Sequence, residues 1–293
     1  MPDCSAWGAL LGARLAEIRR SLPGDAVRVV LEDGRTTDHI GYLHPMWFPF
    51  IRTAALPGLG LAGTDGGEPL RLVVDARGTT PEAVLDSLSL ALRKAGLVCR
   101  RDAERLDVTT SDGRVLCTAE RPLFRVLGMR TRAVRLTRFT RAPGFPAARR
   151  APTKKVGPGL WDNIAAGLAA AGEDDAGAML RELNEEAGQN LGRGALRRIG
   201  DFTALRAVEN GILNEVTTVF RAEAEPVPFT NLDGEVDAFR RLDEAALLEE
   251  LVRGGFMPEA AIAFAMDAAP GVTPEEASGY DLPIHKQPRD KQP

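Results

Sequence analysis

The segment Asp175–Ala187 constrains this chain more than any other stretch, because it combines a well-marked helix with a group of carboxylates. Acidic residues in its first turn suit the positive end of a helix dipole, and Gly188 stands where a left-handed C-terminal cap belongs. Its spacing predicts one apolar face, formed by Ala176, Met179, Leu180, Leu183 and Ala187. We therefore expect a helix that packs this face on a core.

The three glutamates of this helix fall on a separate arc. At about 100° per residue, Glu182, Glu185 and Glu186 share an arc roughly 100° wide. Like charges at this spacing repel one another and disfavour the helix unless a cation neutralises them. An oxygen-only ligand set points to a hard ion, so we expect Mg²⁺, with Mn²⁺ as the alternative.

Such an ion suits diphosphate hydrolysis. It polarises a phosphoryl oxygen, orients the attacking water and neutralises charge on the leaving phosphate, while a free carboxylate removes the proton of the water. For an isolated E-x-x-E-E cluster, a solvated acidic helix face would be the better interpretation. The residues on either side favour the catalytic one.

Those residues resemble the Nudix box, G-x5-E-x7-R-E-U-x-E-E-x-G-U, where U is a bulky aliphatic residue. The eight matching positions are Gly167, Glu173, Arg181, Glu182, Leu183, Glu185, Glu186 and Gly188. Gln189 departs from the pattern, since it replaces the final aliphatic residue. The resemblance implies a MutT-like hydrolase with an α+β fold, an α/β/α sandwich around a mixed sheet.

The resemblance also implies roles for single residues. Glu182 and Glu186 would be the main metal ligands, and Glu185 a further ligand or the general base. The backbone carbonyl near Gly167 is a further candidate ligand. Glu173 and Arg181 would form a structural brace, in which an arginine holds a carboxylate in a fixed fork.

Outside the box, the sequence Asp233-Gly234-Glu235-Val236 precedes a predicted strand. Nudix enzymes often place an extra carboxylate from this region beside the metal, and Glu235 is our candidate. An Asp-Gly turn explains Asp233 and Gly234 but not Glu235. Asp237 is the weaker alternative, on the same face of the strand as Glu235.

Five residues before the box are candidates for substrate binding. The basic side chains lie in a predicted Pro/Gly-rich loop from Arg149 to Gly159 and could hold a terminal phosphate. The other two could stack on or hydrogen-bond to the substrate. The five are Arg149, Lys154, Lys155, Trp161 and Asn163. The alternatives are solvated loop charges for the cations and a core position for Trp161.

The length of 293 residues exceeds the usual size of one core, so we expect two units. Residues 1–119 are predicted to form a smaller N-terminal α+β domain, 120–280 the Nudix domain and 281–293 a loose tail. In the first, we expect a helix over 4–21, strands at Val27–Leu31 and Leu70–Val74, a helix over 81–94 and a hairpin near Ser111–Gly113. In the second, we expect a strand or hairpin over Val126–Thr140, strands at 199–207, 215–222 and 236–242, and helices near 243–252 and 258–268.

A narrower resemblance rests on the string Ala151–Asn163, on Gly41–Pro45, on the segment around Glu235 and on Gly255–Phe256. These stretches resemble the Nudix portion associated with thiamin pyrophosphokinase in fungi, and related plant and bacterial proteins. Those proteins carry an N-terminal α+β extension of similar length. The resemblance implies thiamin diphosphate analogues as substrates.

Composition excludes several other classes of protein. The net charge of −4 gives no general attraction to nucleic acid, and no run of about 18 apolar residues suggests a membrane span. The N-terminus lacks a secretory pattern, so we expect a cytoplasmic protein. The three cysteines, Cys4, Cys99 and Cys117, lack metal-site spacing and are expected to be reduced thiols.

Our first hypothesis is a Mg²⁺-dependent hydrolase that cleaves a small nucleoside-diphosphate-like or thiamin-diphosphate-like molecule to a monophosphate. The alternative is a non-catalytic Nudix-fold binding module that senses a phosphorylated metabolite. An isomerase of allylic diphosphates would need an acid-base cysteine, and all three cysteines precede the Nudix domain. The N-terminal unit could shape specificity, form a homodimer or cover the sheet.

Overall fold

The computed structural model describes residues 4–19, 22–63, 69–98 and 104–268, and two groups of elements follow one another along these residues. The helices of the first group are α1 (Cys4–Ile18), α2 (Phe48–Ala54), α3 (Pro81–Lys94) and α4 (Arg121–Val126). Its strands are β1 (Val27–Glu32), β2 (Thr37–Leu43), β3 (Leu59–Ala62), β4 (Arg71–Asp75), β5 (Arg105–Thr109) and β6 (Val115–Glu120).

The first group is built on a four-stranded sheet in the order β2-β1-β4-β3, in which only the β1/β4 pair is parallel. The apolar face of α3 packs into the same core, and Thr80 caps this helix by accepting a hydrogen bond from the Ala83 N–H at 3.2 Å. Strands β5 and β6 form a separate hairpin. The predicted strands, helix and hairpin of this unit are confirmed, while β2, α2 and β3 were not predicted.

The second group contains seven strands and three helices among the described residues. The strands are β7 (Thr131–Phe139), β8 (Phe145–Arg150), β9 (Trp161–Asn163), β10 (Ala165–Leu168), β11 (Leu196–Val208), β12 (Gly211–Ala222) and β13 (Val236–Leu242). The helices are α5 (Asp175–Ala187), α6 (Glu244–Arg253) and α7 (Pro258–Ala268). Short 3-10 turns occupy Pro45–Trp47 and Arg193–Ala195.

The main sheet of this group has the order β10-β7-β12-β11 and is mixed, because β7 and β12 run parallel. Alternate residues of β12 point to opposite faces. Phe220 packs with α5 on one face, and Val219 packs with α7 on the other. A second sheet, β13-β8-β9, is antiparallel. The result is the expected α+β fold, with helices on both faces of a mixed sheet.

The region before the box differs from the prediction. Val126 ends helix α4 and the strand begins only at Thr131, because Pro122 lies at the start of a short helix that the periodicity did not reveal. Strand β8 was not predicted, and it includes Arg149 and Arg150, which were assigned to a loop. No helix of the described residues is long and apolar enough to cross a membrane.

The predicted tail and two of the three cysteines lie wholly or partly outside the described residues. The predicted tail at 281–293 and Cys99 lie outside the described residues, as does the side chain of Cys4. Cys117 is a free, buried thiol, and burial raises its pKa to about 12. It is therefore held in the neutral, unreactive form.

Helix α1 packs on the second group, although it comes first in the chain. Trp7, Leu11 and Leu15 are at most 1% exposed and share a core with α7 and β11. The Arg14 guanidinium donates to the Leu251 carbonyl at the end of α6 at 2.8 Å. The division at residue 120 remains a prediction, but this helix of the 1–119 segment belongs by its packing to the C-terminal core.

The β5–β6 hairpin makes a second junction, which we call the hairpin clamp and define by Asp107, Arg132 and the loop 169–175. Both carboxylate oxygens of Asp107 lie 3.1 Å from the Gly172 amide nitrogen. Arg132 lies 3.5 Å from the same carboxylate and donates to Asp175 at 2.8 Å. The Arg105 carbonyl accepts from the Ala171 N–H at 2.9 Å. The hairpin therefore fixes the loop that leads into α5.

The packing of α1 predicts that Leu11→Ala destabilises the whole C-terminal core. Leu11 is fully buried, so its truncation loses apolar contact and leaves a cavity. We expect the free energy of unfolding to fall by about 2 to 5 kcal/mol, measured by urea denaturation.

Leu90→Ala is the matched control, because Leu90 is 48% exposed on α3. Its expected effect is within about 0.5 kcal/mol of zero. Equal effects of the two substitutions would show that α1 does not belong to this core.

Candidate active site

Helix α5 begins and ends as its sequence predicts. Asp174 caps its N-terminus by accepting a hydrogen bond from the Gly177 N–H at 2.7 Å. Gly188 ends it in the left-handed region, with φ 67°, a conformation that favours glycine. Met179 and Leu183 are fully buried against the main sheet. The face that carries the glutamates is thereby held toward β10, at Ala166 and Gly167.

The carboxylate of Glu182 lies directly against the backbone of Gly167 on β10. A Cβ atom at position 167 would be 2.0 Å from the Glu182 carboxyl carbon, so only glycine allows this approach. Burial raises the pKa of Glu182, although Arg181, which donates to it at 2.6 Å, acts in the opposite direction. Gly167 is therefore needed for the position of Glu182, whether or not its carbonyl binds metal.

Glu186 is the most buried of the three helix glutamates, at 7% exposed. It accepts a hydrogen bond from the Ala166 N–H at 2.8 Å. Burial raises the pKa of Glu186 to about 8, against the effect of this hydrogen bond. A buried carboxylate of this kind favours a cation as its neighbour.

Glu185 lies closer to solvent, with a side chain 44% exposed. Its one ion pair among the described residues is with Arg181, at 3.1 Å. Both Glu185 and Glu182 face the cleft described below. Of the three glutamates, Glu185 is the one with most freedom to move.

The expected pair between Arg181 and Glu173 is present. Arg181 donates through Nε to Oε1 at 3.1 Å and through Nη2 to Oε2 at 2.9 Å, and also donates to the Leu168 carbonyl at 2.9 Å. Although burial opposes it, Arg181 and the Ala170 N–H lower the pKa of Glu173. The guanidinium thus connects the loop, the end of β10 and the glutamates of α5.

A second source of carboxylates meets the helix. Oxygens of Glu186, Asp233 and Glu235 lie within 4.8 Å of one another. Asp233 was not predicted as a site residue, because the turn explained it. The structure shows both roles together, since one Asp233 oxygen accepts from the Glu235 N–H at 2.8 Å while the carboxylate faces the cluster.

This set of oxygens fits a divalent cation of the Mg²⁺ type. Carboxylate ligands in a group of three or more are what such hard ions prefer, and no Cys or His takes part. Glu182 and Glu185 add negative charge within reach, since Glu182 interacts electrostatically with both Glu185 and Glu235. We call these five carboxylates, Glu182, Glu185, Glu186, Asp233 and Glu235, the acidic cluster.

The acidic cluster opens into a cleft of about 980 Å³. The cations that line the same cleft include Arg181, Arg150, Lys154 and Lys155. Lys154 forms an ion pair with Glu235, and its charge also lowers the pKa of Glu186 from the value that burial alone would give. Lys154 therefore lies beside the carboxylates, and Lys155 lines the same cleft.

The other three predicted binding residues do not line this cleft, and their role in substrate binding stays a prediction. Arg149 is on a strand, outside the residues that line the cleft, and pairs with Asp237. The Trp161 ring is covered by the Arg240 guanidinium, 4.0 Å from its centroid. Asn163 is 1% exposed and accepts a hydrogen bond from Arg135. Alternation along strands, which the predicted loop hid, turns these side chains away from the cleft.

A buried ion pair beneath the cleft was also missed. Asp162, 4% exposed, accepts from Arg135 at 2.5 Å and from Arg150 at 3.0 Å. It thereby fixes a cation of the cleft wall. Nothing in the sequence indicated that Asp162 would be buried, because it lies in a strand that was not predicted.

Gln189, the departure from the box, has a clear structural role. It is 2% exposed, donates to the carbonyls of Ala187 and Val227 at 3.0 Å and accepts from the Val227 N–H at 2.9 Å. These bonds hold the segment that leads toward Asp233. The substitution thus replaces an apolar contact with hydrogen bonds and leaves the acidic cluster intact.

Comparison with known proteins gives one family match and several structural similarities. The NUDIX domain family matches residues 129–259. Protein DR0079 of Deinococcus radiodurans is 22% identical, over 52% of this chain and 90% of that chain, with a TM-score of 0.39. A MutT protein of Methanosarcina mazei is 16% identical over 48% and 92% of the two chains, with a TM-score of 0.37. A C. elegans Ap4A hydrolase is 16% identical over 47% and 96%, with a TM-score of 0.35.

The family match includes the whole Gly167–Gly188 segment, Asp233 and Glu235. It excludes helix α1 and the N-terminal sheet, which the sequence also assigned to a separate unit. The eight box positions from Gly167 to Gly188 are all present in the sequence. The match of residues 129–259 to the NUDIX domain family therefore agrees with the resemblance that the box residues carry.

Proposed function

We propose that this protein is a Mg²⁺-dependent hydrolase that cleaves the diphosphate linkage of a small molecule and releases a monophosphate. The observation that carries the proposal is the convergence of carboxylates from α5 and from the Asp233–Glu235 turn on one cleft. The substrate would be nucleoside-diphosphate-like or thiamin-diphosphate-like, as the narrower sequence resemblance implies.

The acidic cluster supplies the metal site in this proposal. Glu182, Glu186 and Glu235 would hold the cation, with Asp233 and the backbone near Gly167 as further oxygen ligands. When bound, Mg²⁺ supplies Lewis acidity to a phosphoryl oxygen and lowers the pKa of a water. Mn²⁺ would fit the same donors.

The remaining residues of the cleft would handle charge and the proton. Lys154, Lys155 and Arg150 line the cleft next to the carboxylates and would neutralise phosphate oxygens. Glu185 would take the proton of the attacking water, because it is exposed and has a single ion pair among the described residues. Arg181 and Glu173 would keep α5 and its loop in register with the substrate.

The central prediction is that Glu182→Gln and Glu186→Gln each lower kcat/KM by about 100-fold or more, since even the outer partners of metal ligands account for roughly 10- to 100-fold. Both changes preserve shape and remove a charge that the cation needs. Activity is measured with Mg²⁺ on thiamin diphosphate and on nucleoside diphosphates, and folding is followed by circular dichroism.

Glu249→Gln is the control, since this glutamate is 64% exposed on α6 and pairs only with Arg253 among the described residues. Full activity in both cluster variants would reject the site assignment. Tight binding of a diphosphate by the wild type without turnover, in excess Mg²⁺ or Mn²⁺, would favour the non-catalytic binding module instead.

The burial of Glu186 predicts that metal binding depends on pH. Its pKa of about 8 means that it carries a proton at neutral pH without metal, and a cation must displace that proton. Affinity for Mg²⁺ should therefore rise as pH increases toward about 8 and then level off. Calorimetric titrations at neutral pH in two buffers of different ionisation enthalpy should show release of about one proton.

The stability of the metal-free protein should depend on pH in the opposite direction, falling as pH rises. The folded state binds this proton more tightly than the unfolded chain, whose glutamate titrates near 4.5. The stabilising contribution is thus complete below 4.5 and is lost as pH rises through about 8. Metal affinity that stays constant across this range, with no proton released, would contradict the assignment of Glu186.

The hairpin clamp predicts a role in catalysis for a residue outside the Nudix match. Asp107→Ala would free the Gly172 amide and loosen the loop before α5, so kcat should fall by about 10- to 100-fold with a smaller change in KM. Asp107→Asn keeps a hydrogen-bond acceptor and should recover part of the loss. The readouts are steady-state kinetics and hydrogen exchange at Gly172.

Asp112→Ala, in the turn of the same hairpin, is the control and should leave kcat unchanged, because among the described residues Asp112 bonds only within its own turn. If Asp107→Ala keeps the wild-type kcat, the clamp has no catalytic role. If Asp107→Asn is as inactive as Asp107→Ala, the hydrogen bond to Gly172 is not the cause.

A further inference from the structure

Outside the acidic cluster, the charged side chains that line the cleft include four from four different elements. We call this group the ionic pocket: Arg125 on α4, Arg206 on β11, Glu215 on β12 and Glu259 on α7. Leu213 and Met257 provide apolar wall beside them. The ionic pocket and the acidic cluster thus share one cleft, about 980 Å³ in volume, which exceeds what a diphosphate alone would fill.

Glu259 is incompletely satisfied. It is 4% exposed, and its Oε1 accepts from Arg206 at 2.7 Å. Its Oε2 is buried and has no hydrogen-bond partner within the residues that the structure describes. A buried carboxylate oxygen without a partner costs free energy and is rare in native proteins, so it calls for an explanation.

Arg125 presents the complementary case. Its guanidinium lines the cleft and donates no hydrogen bond to any residue in the described part of the chain. Burial lowers the pKa of Arg125, against the favourable charges of Glu215 and Glu259. Arg125 therefore lies within electrostatic reach of Glu259, and both residues line the same cleft.

Glu215 completes the group. It is 8% exposed, and its one hydrogen bond among the described residues comes from the Thr131 hydroxyl at 3.3 Å. Together the four residues provide two basic and two acidic groups, so the ionic pocket has no excess of either kind. It is suited to a neutral or zwitterionic group that offers a donor and an acceptor side by side.

We infer that the ionic pocket binds the organic part of the substrate and selects a nitrogen heterocycle whose edge presents an N–H donor next to an acceptor. The donor would bind the carboxylate of Glu259, and the acceptor would bind the guanidinium of Arg125. An apolar organic group would leave both unpaired, which is the strongest basis for rejecting a ligand. The inference rests on the proposed diphosphate hydrolysis at the acidic cluster.

Arg125 makes this a role for the N-terminal part of the chain. It lies on α4, which precedes the family match at residue 129. Helix α4 follows the β5–β6 hairpin directly and contacts β12. The segment before residue 129 would thus complete the pocket that binds the organic part of the substrate.

The experiment compares two kinds of diphosphate. Thiamin diphosphate and ADP carry a heterocycle with such an edge, and geranyl diphosphate carries no hydrogen-bonding atom outside its diphosphate. Wild-type protein should show a KM at least tenfold lower for one of the heterocyclic compounds than for geranyl diphosphate. Glu259→Gln and Arg125→Met should each raise that KM at least tenfold, keep kcat within threefold and leave the KM for geranyl diphosphate unchanged.

Two variants keep the test decisive if one fails to fold. Glu259→Gln leaves Arg206 without its charged partner, whereas Arg125→Met removes no hydrogen bond among the described residues. Thermal unfolding identifies a folding defect. Arg197→Met, at a position 65% exposed on β11, is the matched control and should behave as wild type.

The possible failures are distinct. Turnover of all three compounds with similar KM values, unaffected by either variant, would overturn the inference and leave the proposed function intact. An equal loss of kcat on every compound would also overturn it, because recognition would not be the role of these residues. If wild type hydrolyses none of them, the proposed function fails, and calorimetric binding of thiamin monophosphate and AMP decides the inference. Binding at least tenfold weaker in the variants supports it, and unchanged binding overturns it.

Discussion

The fork between Arg181 and Glu173 is the interaction on which the rest of the site depends. Three glutamates on one helix face, two of them substantially buried, oppose folding unless positive charge lies beside them. Arg181 contributes that charge to Glu182 and Glu185, and its bonds to Glu173 and to the Leu168 carbonyl tie the helix to the loop and strand before it. The Arg181 guanidinium thus offsets the repulsion between the carboxylates and fixes their orientation.

The N-terminal segment supports this arrangement from outside the family match. Helix α1 closes the core beneath α7, and the hairpin clamp holds the Gly172 amide and, through Arg132, the first turn of α5. Neither contact involves a specified position of the box. Both nevertheless restrict the motion of the helix and the loop that contain the box residues. A precise catalytic geometry requires such support, because small displacements of reacting groups cost large factors in rate.

The sequence predicted the helix, its caps and the convergence of its glutamates, because those features are local and obey the helical period. It predicted Glu235 but not Asp233, since the turn accounted for Asp233 by itself. It did not reveal strands β8 and β9, because both are short and carry no clear alternation. The orientation of the Arg149, Trp161 and Asn163 side chains was therefore hidden. Asp107 and Arg125 could not be found, because their roles depend on contacts between segments far apart in the chain.

The acidic cluster and the ionic pocket differ in the kind of constraint that they impose on a ligand. The acidic cluster gathers like charges, a costly arrangement that a cation offsets, and it therefore suits the proposed metal-dependent reaction. The ionic pocket gathers opposite charges that nearly balance, yet leaves Oε2 of Glu259 and the guanidinium of Arg125 without hydrogen bonds among the described residues. A pocket with balanced charges and unpaired hydrogen-bonding atoms selects ligands by the geometry of their donors and acceptors rather than by their net charge. Catalysis and recognition can then vary separately along one cleft, because no residue of the ionic pocket belongs to the box.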